Sequence, residues 1–285
     1  MEGIKKHSSA GMTGFLLPLI LLATAFSGRQ NAASAGHAAG DSTAPAYPGY
    51  HLVWQDEFSG KSLTTGDWNY ETGGNGWGNQ ELEYYTSGDS NVYLLNGQLV
   101  IEARKEDRGG RHYTSARITT AGKHEFQYGR IDIRAKLPVQ TGMWPALWML
   151  GNDIRVKGWP LCGEIDIMEL VGKNPKQVVG SFHWKKDDGT EGTLNDRYNL
   201  SAGDFSRNFH VYSLVWEKDQ YRILVDNQVY VTGDPSAIQA SYNPFNHPFF
   251  LIFNVAVGGD WPGSPDSSTS FPQKMLVDYV RVYQH

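Results

Sequence analysis

Glu164-Ile165-Asp166-Ile167-Met168-Glu169 sets three carboxylates within six residues, interleaved with apolar side chains. Side chains of a plain strand alternate faces with a period of two. Glu164 and Asp166 therefore share one face, while Ile165 and Ile167 enter a core on the other. Met168 breaks the alternation by standing where the third carboxylate is due. One extra residue, absorbed as a β-bulge, returns Glu169 to the face of Glu164 and Asp166. A face carrying Glu, Asp and Glu has the parts for glycosidic-bond hydrolysis, with one carboxylate as nucleophile and one as acid/base. The plainer alternative is a solvated strand of alternating acids and hydrophobes. Like charges stacked on one face repel, and the flanking sequence also argues against it. Upstream stand Trp144-Pro145-Ala146-Leu147-Trp148-Met149-Leu150 and Gly158-Trp159-Pro160-Leu161-Cys162-Gly163; downstream stand His183-Trp184. Rings this dense suit the apolar faces of pyranose sugars, although any one of these tryptophans also fits a core.

Outward from this segment, strand signals are short and numerous. Residues 91–95 and 98–103 read as a hairpin through the Asn96-Gly97 turn. Residues 128–137 alternate cleanly, and 51–54, 178–183, 209–217, 221–225 and 228–231 are further strands. Residues 249–257 are more continuously apolar, as a central strand should be, and 275–283 form a closing strand. No window gives an amphipathic helix longer than two turns. The pattern predicts an all-β sandwich or jelly roll.

The first few dozen of the 285 residues read as processing. Lys5 and Lys6 give a positive start, and residues 12–26 are apolar but short for a bilayer span. Ala23-Thr24-Ala25 and Ala33-Ser34-Ala35 both fit a small-residue cleavage rule. The expected organisation is a signal peptide over 1–35, a flexible lead-in over 36–50 and one catalytic domain over 51–285. The protein is then secreted or periplasmic; a retained membrane anchor is the alternative. Cys162 is the only cysteine, so no intrachain disulfide forms, and it reads as a small buried hydrophobe rather than a nucleophile. The net charge of −5 and the lack of basic runs with interleaved aromatics exclude nucleic acid as a natural partner. The mature region has no long apolar stretch for a membrane. Neutral ligands fit best, and a monomer is the default.

The chain resembles the family 16 glycoside hydrolases, on an ordered set of motifs between residues 53 and 283. Besides the acidic segment these are Trp54-Gln55-Asp56-Glu57-Phe58, Gly76-Trp77-Gly78-Asn79-Gln80-Glu81-Leu82-Glu83-Tyr84-Tyr85 and Gly142-Met143-Trp144-Pro145-Ala146-Leu147-Trp148. Asn254-Val255-Ala256-Val257-Gly258-Gly259-Asp260-Trp261-Pro262-Gly263 and Val277-Asp278-Tyr279-Val280-Arg281-Val282-Tyr283-Gln284 complete it. The inserted Met168 is similar to the bulged form of laminarinase-like endo-β-1,3-glucanases.

The resemblance implies a concanavalin A-like jelly roll of two curved antiparallel sheets, with a cleft across the concave one. By position it implies Glu164 as nucleophile, Glu169 as acid/base and Asp166 between them, steering the ionisation of Glu164. It also implies a retaining mechanism through a covalent glycosyl-enzyme intermediate. Spacing alone does not give retention. Alpha carbons four strand positions apart are about 13 Å distant, whereas retaining carboxyl groups stand about 5 Å apart. Physically, Glu169 must hold a proton while Glu164 stays ionised, a division that the proximity of like charges permits.

The same resemblance puts Trp144, Trp148 and Trp159 on the glycone side of the cleft, with Asn75, His183, Asn254 and Trp261 as further cleft residues. Arg117 becomes a donor to sugar hydroxyls. Four of these have a plainer reading: Asn75 caps a turn, Trp148 packs in the core, His183 is a bonded core histidine and Arg117 pairs with a surface acid. A structural Ca²⁺ away from catalysis is implied as well, with Glu57 and Gly97 offering carbonyls and Asp278 its carboxylate. No cofactor is expected for catalysis, and His/Cys spacing supports no zinc site. The expected activity is endo-hydrolysis of β-1,3-glucosidic bonds in laminarin-type β-glucans. The alternatives are a mixed-linkage endo-1,3(4)-β-glucanase, an agarase-like or transglycosylating relative, and a glucan-recognition module without turnover.

Overall fold

Period-two alternation turns most of the chain into strand. The computed structural model describes residues 44–88 and 90–285; the expected signal peptide and the lead-in up to residue 43 lie outside the described residues. In chain order the strands are β1 (His51–Asp56), β2 (Asn69–Glu71), β3 (Glu83–Tyr85), β4 (Val92–Leu95), β5 (Gln98–Ala103) and β6 (Tyr113–Ser115). Next come β7 (Arg117–Thr119), β8 (Gly129–Lys136), β9 (Met143–Gly151), β10 (Glu164–Glu169), β11 (Gln177–Lys185) and β12 (Glu191–Asn199). The last are β13 (His210–Trp216), β14 (Tyr221–Val225), β15 (Gln228–Gly233), β16 (Phe249–Val257) and β17 (Gln273–Gln284). One helical turn, α1 (Ile154–Lys157), and two short 3₁₀ turns are the helical content of the described residues. None of these is long and apolar enough to cross a membrane.

A seven-stranded sheet runs β12-β11-β10-β9-β16-β7-β2, and an eight-stranded sheet runs β15-β14-β13-β8-β17-β5-β4 with β1 on β17. Pairing within both is antiparallel; β3 and β6 form a separate parallel pair. The result is the expected jelly-roll sandwich of two curved antiparallel sheets. Ile165, Ile167, Met168 and Phe182 of one sheet meet Ile131, Ile133, Leu214, Ile223 and Val280 of the other, all almost wholly buried. Each such side chain contributes about 1.5–3 kcal/mol on burial. Every residue of β16 is buried, because ladders flank it on both edges and side chains cover both faces. The β4–β5 hairpin turns at Asn96 and Gly97 with φ of 53° and 73°, the positive values a two-residue turn of this twist demands.

The described end of the lead-in is docked rather than free. The Tyr47 hydroxyl donates to Asp132 at 2.7 Å, and the Arg130 guanidinium lies 4.0 Å from the centre of its ring. The Tyr50 hydroxyl bonds Glu217.

Local register carries the consequence for function. Along β10, Asp166 pairs with Trp148 and Met168 with Leu147, so Ile167 has no partner on β9. On the other side Asp166 pairs with Ser181 and Glu169 with Val179, leaving Gly180 opposite both Ile167 and Met168. This is the β-bulge that the sequence requires. Ile167 and Met168 both turn into the core, fully buried, and Glu169 returns to the outer face.

Candidate active site

A cleft of about 770 Å³ crosses the outer face of the seven-stranded sheet above β10. It brings together every catalytic and substrate-binding residue expected from the sequence: Glu164, Asp166, Glu169, Asn75, Arg117, Trp144, Trp148, Trp159, His183, Asn254 and Trp261. The ladder explains why. Asp166, Trp148 and Ile252 are successive register partners across β10, β9 and β16, and Asn254 follows Ile252 on the same face two residues on.

The carboxylates are differently held. The Trp144 indole Nε1 donates to Glu169 Oε1 at 2.9 Å. An indole N–H only donates, so a proton on Glu169 belongs on Oε2. Burial, then the charges of Asp166 and Glu164, push Glu169 well above the usual carboxylate range, against the Trp144 bond and His183. Burial and Asp166 push Glu164 up to about 8, while His183 and Arg117 pull it down. Burial and the charge of Asp166 thus push both glutamates toward their protonated forms.

His183 faces two acids. Its Nε2 lies 3.2 Å from Asp166 Oδ2, an ion-pair contact without hydrogen-bond alignment, and its Nδ1 is 2.6 Å from Glu191 Oε1. Burial works to lower its pKa, but Asp166, Glu164 and Glu191 raise it to about 10, so the ring is an imidazolium at neutral pH. It is therefore a charged partner of the acidic segment rather than a neutral core histidine. The ligand atoms of Glu164, Asp166 and His183 lie within 4.8 Å of one another, a spacing that would suit a cation. Here the imidazolium itself supplies the positive charge.

The remaining residues form the walls. Trp159 and Trp261 expose 51% and 37% of their surface, unusual for tryptophan, and both line the cleft. Trp261 stands edge-on to Trp144 at 5.5 Å. Trp148 is fixed at its edge by Asn254 Oδ1 at 2.7 Å and on its face by the Arg117 guanidinium at 4.7 Å. Arg117 also bonds Glu71 and lies 4.8 Å from the centre of the Trp77 ring, so it pairs with an acid while lining the cleft. Asn75 Oδ1 accepts from the Trp77 amide at 3.1 Å, capping its turn while lining the cleft.

Sequence reasoning did not single out Glu191, Trp77, Glu81, Asn195 or Arg197, of which the last four line the cleft. Trp77 and Glu81 lay inside a quoted motif, so a signal existed. Glu191, Asn195 and Arg197 lie on β12, a mostly exposed strand whose polar sequence carries no alternation.

The expected calcium donors lie on or beside three neighbouring strands, β1, β5 and β17. β17 pairs with β5 as far as Val277–Leu99 and with β1 from Val280–Asp56, so Asp278 sits where β17 passes from one strand to the other. Glu57 follows the end of β1, and Gly97 precedes the start of β5. Arg281 holds both Glu57 carboxylate oxygens at 2.7 and 2.8 Å, which leaves its main-chain carbonyl as the available donor. The Asp278 carboxylate accepts from Arg134 at 2.5 Å. An all-oxygen donor set of this kind fits Ca²⁺.

Comparison with known proteins bears on these features. A family model described as glycosyl hydrolases family 16 matches residues 78–281. Over 271 residues the chain is 41% identical to glucan endo-1,3-beta-glucosidase A1 of Niallia circulans, covering 86% of this chain and 39% of that protein. It is 44% identical over 249 residues to a beta-glucanase of Rhodothermus marinus, covering 83% and 86% respectively. The laminarinase catalytic domain of Thermotoga maritima MSB8 superposes with a TM-score of 0.76 at 47% identity, covering 83% of this chain and 98% of that one. With the jelly roll, the bulged acidic strand and the aromatic cleft already in hand, these matches establish that the chain belongs to family 16 of the glycosyl hydrolases.

Proposed function

We propose that the protein is an endo-β-1,3-glucanase that hydrolyses laminarin-type β-glucans with retention. The carrying observation is the bulged strand, which sets Glu164, Asp166 and Glu169 in one tryptophan-walled cleft. Glu164 attacks the anomeric carbon as the C1–O bond breaks, and Glu169 delivers its Oε2 proton to the leaving oxygen. A glycosyl ester on Glu164 results. Glu169, now a carboxylate, takes a proton from water, the hydroxyl adds to C1 and Glu164 leaves as a carboxylate. Trp144 aims the proton-bearing oxygen by occupying the other one. Asp166 and the His183 imidazolium hold Glu164 in its charge environment. The open, aromatic walls suit a neutral chain bound by its interior.

Two further readings belong with this. The basic start and apolar run of residues 1–35 support export of the enzyme out of the cytoplasm. The placement of Glu57, Gly97 and Asp278 on or beside the neighbouring strands β1, β5 and β17 supports a structural Ca²⁺ held by two main-chain carbonyls and one carboxylate; it stiffens the β1–β17–β5 junction and takes no part in the chemistry.

Product analysis of wild type beside Glu164→Gln, on laminarin, mixed-linkage glucan and agarose, tests the main reading. Laminarin cut to short oligosaccharides by wild type alone is the expected result. Cleavage of mixed-linkage glucan as well would widen the substrate range without moving the site. Binding without turnover on all three would overturn the assignment.

A further inference from the structure

Below the cleft, a line of hydrogen bonds runs from the Trp148 ring to a buried pair of acids. Trp148 Nε1 donates to Asn254 Oδ1 at 2.7 Å, and Asn254 Nδ2 donates to the Tyr85 hydroxyl at 3.1 Å. Tyr85 donates in turn to Glu81 Oε2 at 2.9 Å, and Asn79 Nδ2 donates to Glu81 Oε1 at 3.2 Å. Trp148 and Glu81 line the cleft; Tyr85 is fully buried and Asn254 almost so.

The chain has only one workable direction. An indole N–H cannot accept, so the oxygen of the Asn254 amide must face Trp148 and its NH₂ must face Tyr85. The phenol oxygen then accepts, and its own hydrogen must go elsewhere, to Glu81. Glu81 ends the line by accepting at both oxygens, as an ionised carboxylate does. Its neighbour Glu83, wholly buried, accepts from the Val257 amide at 2.6 Å. Burial first, and then the nearby Glu81, push Glu83 well above the usual carboxylate range.

We propose that Glu81, acting through Tyr85 and Asn254, is a positioning residue that fixes the Trp148 indole against the sugar in the cleft. Reversal of any link would turn a donor onto a donor. The Asn254 amide therefore cannot flip, and the ring edge it holds stays put while Arg117 holds one face. The consequence for substrate rests on the glucanase reading; the consequence for the indole does not.

Two readouts separate these. With ¹⁵N-tryptophan labelling and the Trp148 signal assigned from Trp148→Phe, solvent exchange of the Trp148 indole N–H is measured in Tyr85→Phe. Loss of the phenol link should speed that exchange about tenfold and leave the other indoles unchanged. On laminarin, Tyr85→Phe should raise KM roughly 5- to 20-fold with kcat within about twofold, and add less than about twofold in a Trp148→Phe background. Glu81→Leu, which removes the acceptor that ends the line, should show the same pattern if Tyr85→Phe does not fold. Unchanged indole exchange, or KM effects that multiply independently of Trp148, would overturn the relay. A wild type inactive on laminarin would overturn the glucanase reading alone, with indole exchange still deciding the relay.

Discussion

Gly180 lies beneath the bulge, and its replacement by alanine tests whether the far sheet holds the acid/base in place. A Cβ at this position would stand 2.7 Å from the Tyr230 hydroxyl and 2.9 and 3.1 Å from Ile223 carbons. The Tyr230 hydroxyl donates to the Ile167 carbonyl within the bulge at 3.4 Å. The added methyl must therefore push Tyr230 off that carbonyl. Overpacking costs about 1–3 kcal/mol, and the lost hydrogen bond about 0.5–1.5 kcal/mol. Together these predict a destabilisation of about 1.5–4.5 kcal/mol, or roughly 3–18 °C in Tm for a domain of this size. Activity should fall further than stability, because about 1 Å of misplacement at a catalytic group can cost about a hundredfold. We expect kcat on laminarin to drop by about 10- to 100-fold, measured well below both melting points. Adding Tyr230→Phe removes the nearest clashing atom and should return part of both losses. A Tm within about 2 °C of wild type would refute the steric argument. A lowered Tm with unchanged kcat would show that the contact serves packing and does not place Glu169.

Three shorter expectations follow from the site. Trp144→Phe deletes a donor that favours ionised Glu169, so its pKa rises further. The alkaline limb of kcat/KM, which reports the acid of the free enzyme, should move to higher pH; a limb that stays or moves down counts against Glu169 as the acid. Glu164 has a folded pKa of about 8 against an ordinary 4.5, so the folded state binds the extra proton and stability falls as pH rises through that window. Glu164→Gln should accordingly melt above wild type at pH 8–9, with the gap closing toward pH 4.5; thermal melts across pH without such convergence would refute the burial argument. Chelation by EGTA should lower Tm, with recovery on Ca²⁺ and unchanged kcat at 25 °C. Asp278→Asn should abolish that response, and an identical chelator effect in the variant would remove Asp278 from the site.

Legibility in the sequence followed burial. The strand read at 221–225 and the continuous apolar run of 249–257 coincide with β14 and β16, four of five residues in the first and every residue in the second being buried. The Asn96-Gly97 turn was readable from its two residues, since few others accept its dihedrals. By contrast β12 was not seen: it is an edge strand with solvent on most of its side chains, and Glu191 to Asn199 show no apolar period. β9 hid for a different reason. Pro145 sits within it, paired with Val255, and its tryptophans read as cleft walls before they read as strand. At the site, the bulge could be deduced because Met168 had to go somewhere. The second acid on His183 could not, because Glu191 reaches it only through β11–β12 pairing.

The charge state of the cleft also narrows what it can take. Glu164, Asp166 and Glu191 surround one imidazolium, and Arg117, the other cation that lowers Glu164, is already committed to Glu71. With Glu169 protonated and Glu164 ionised to attack, the surroundings of the anomeric carbon are acidic overall. Such a site repels a carboxylated or sulfated sugar at the point of cleavage. It also stabilises positive charge as that charge develops on a neutral one, which is what an oxocarbenium-like transition state requires. The same two cations keep the nucleophile usable. Without His183 and Arg117, burial and Asp166 would hold Glu164 still higher, and the residue that must attack would ionise only at a more alkaline pH. His183 is therefore better understood as the counter-ion that lets two neighbouring acids differ in protonation than as a group that grips the sugar.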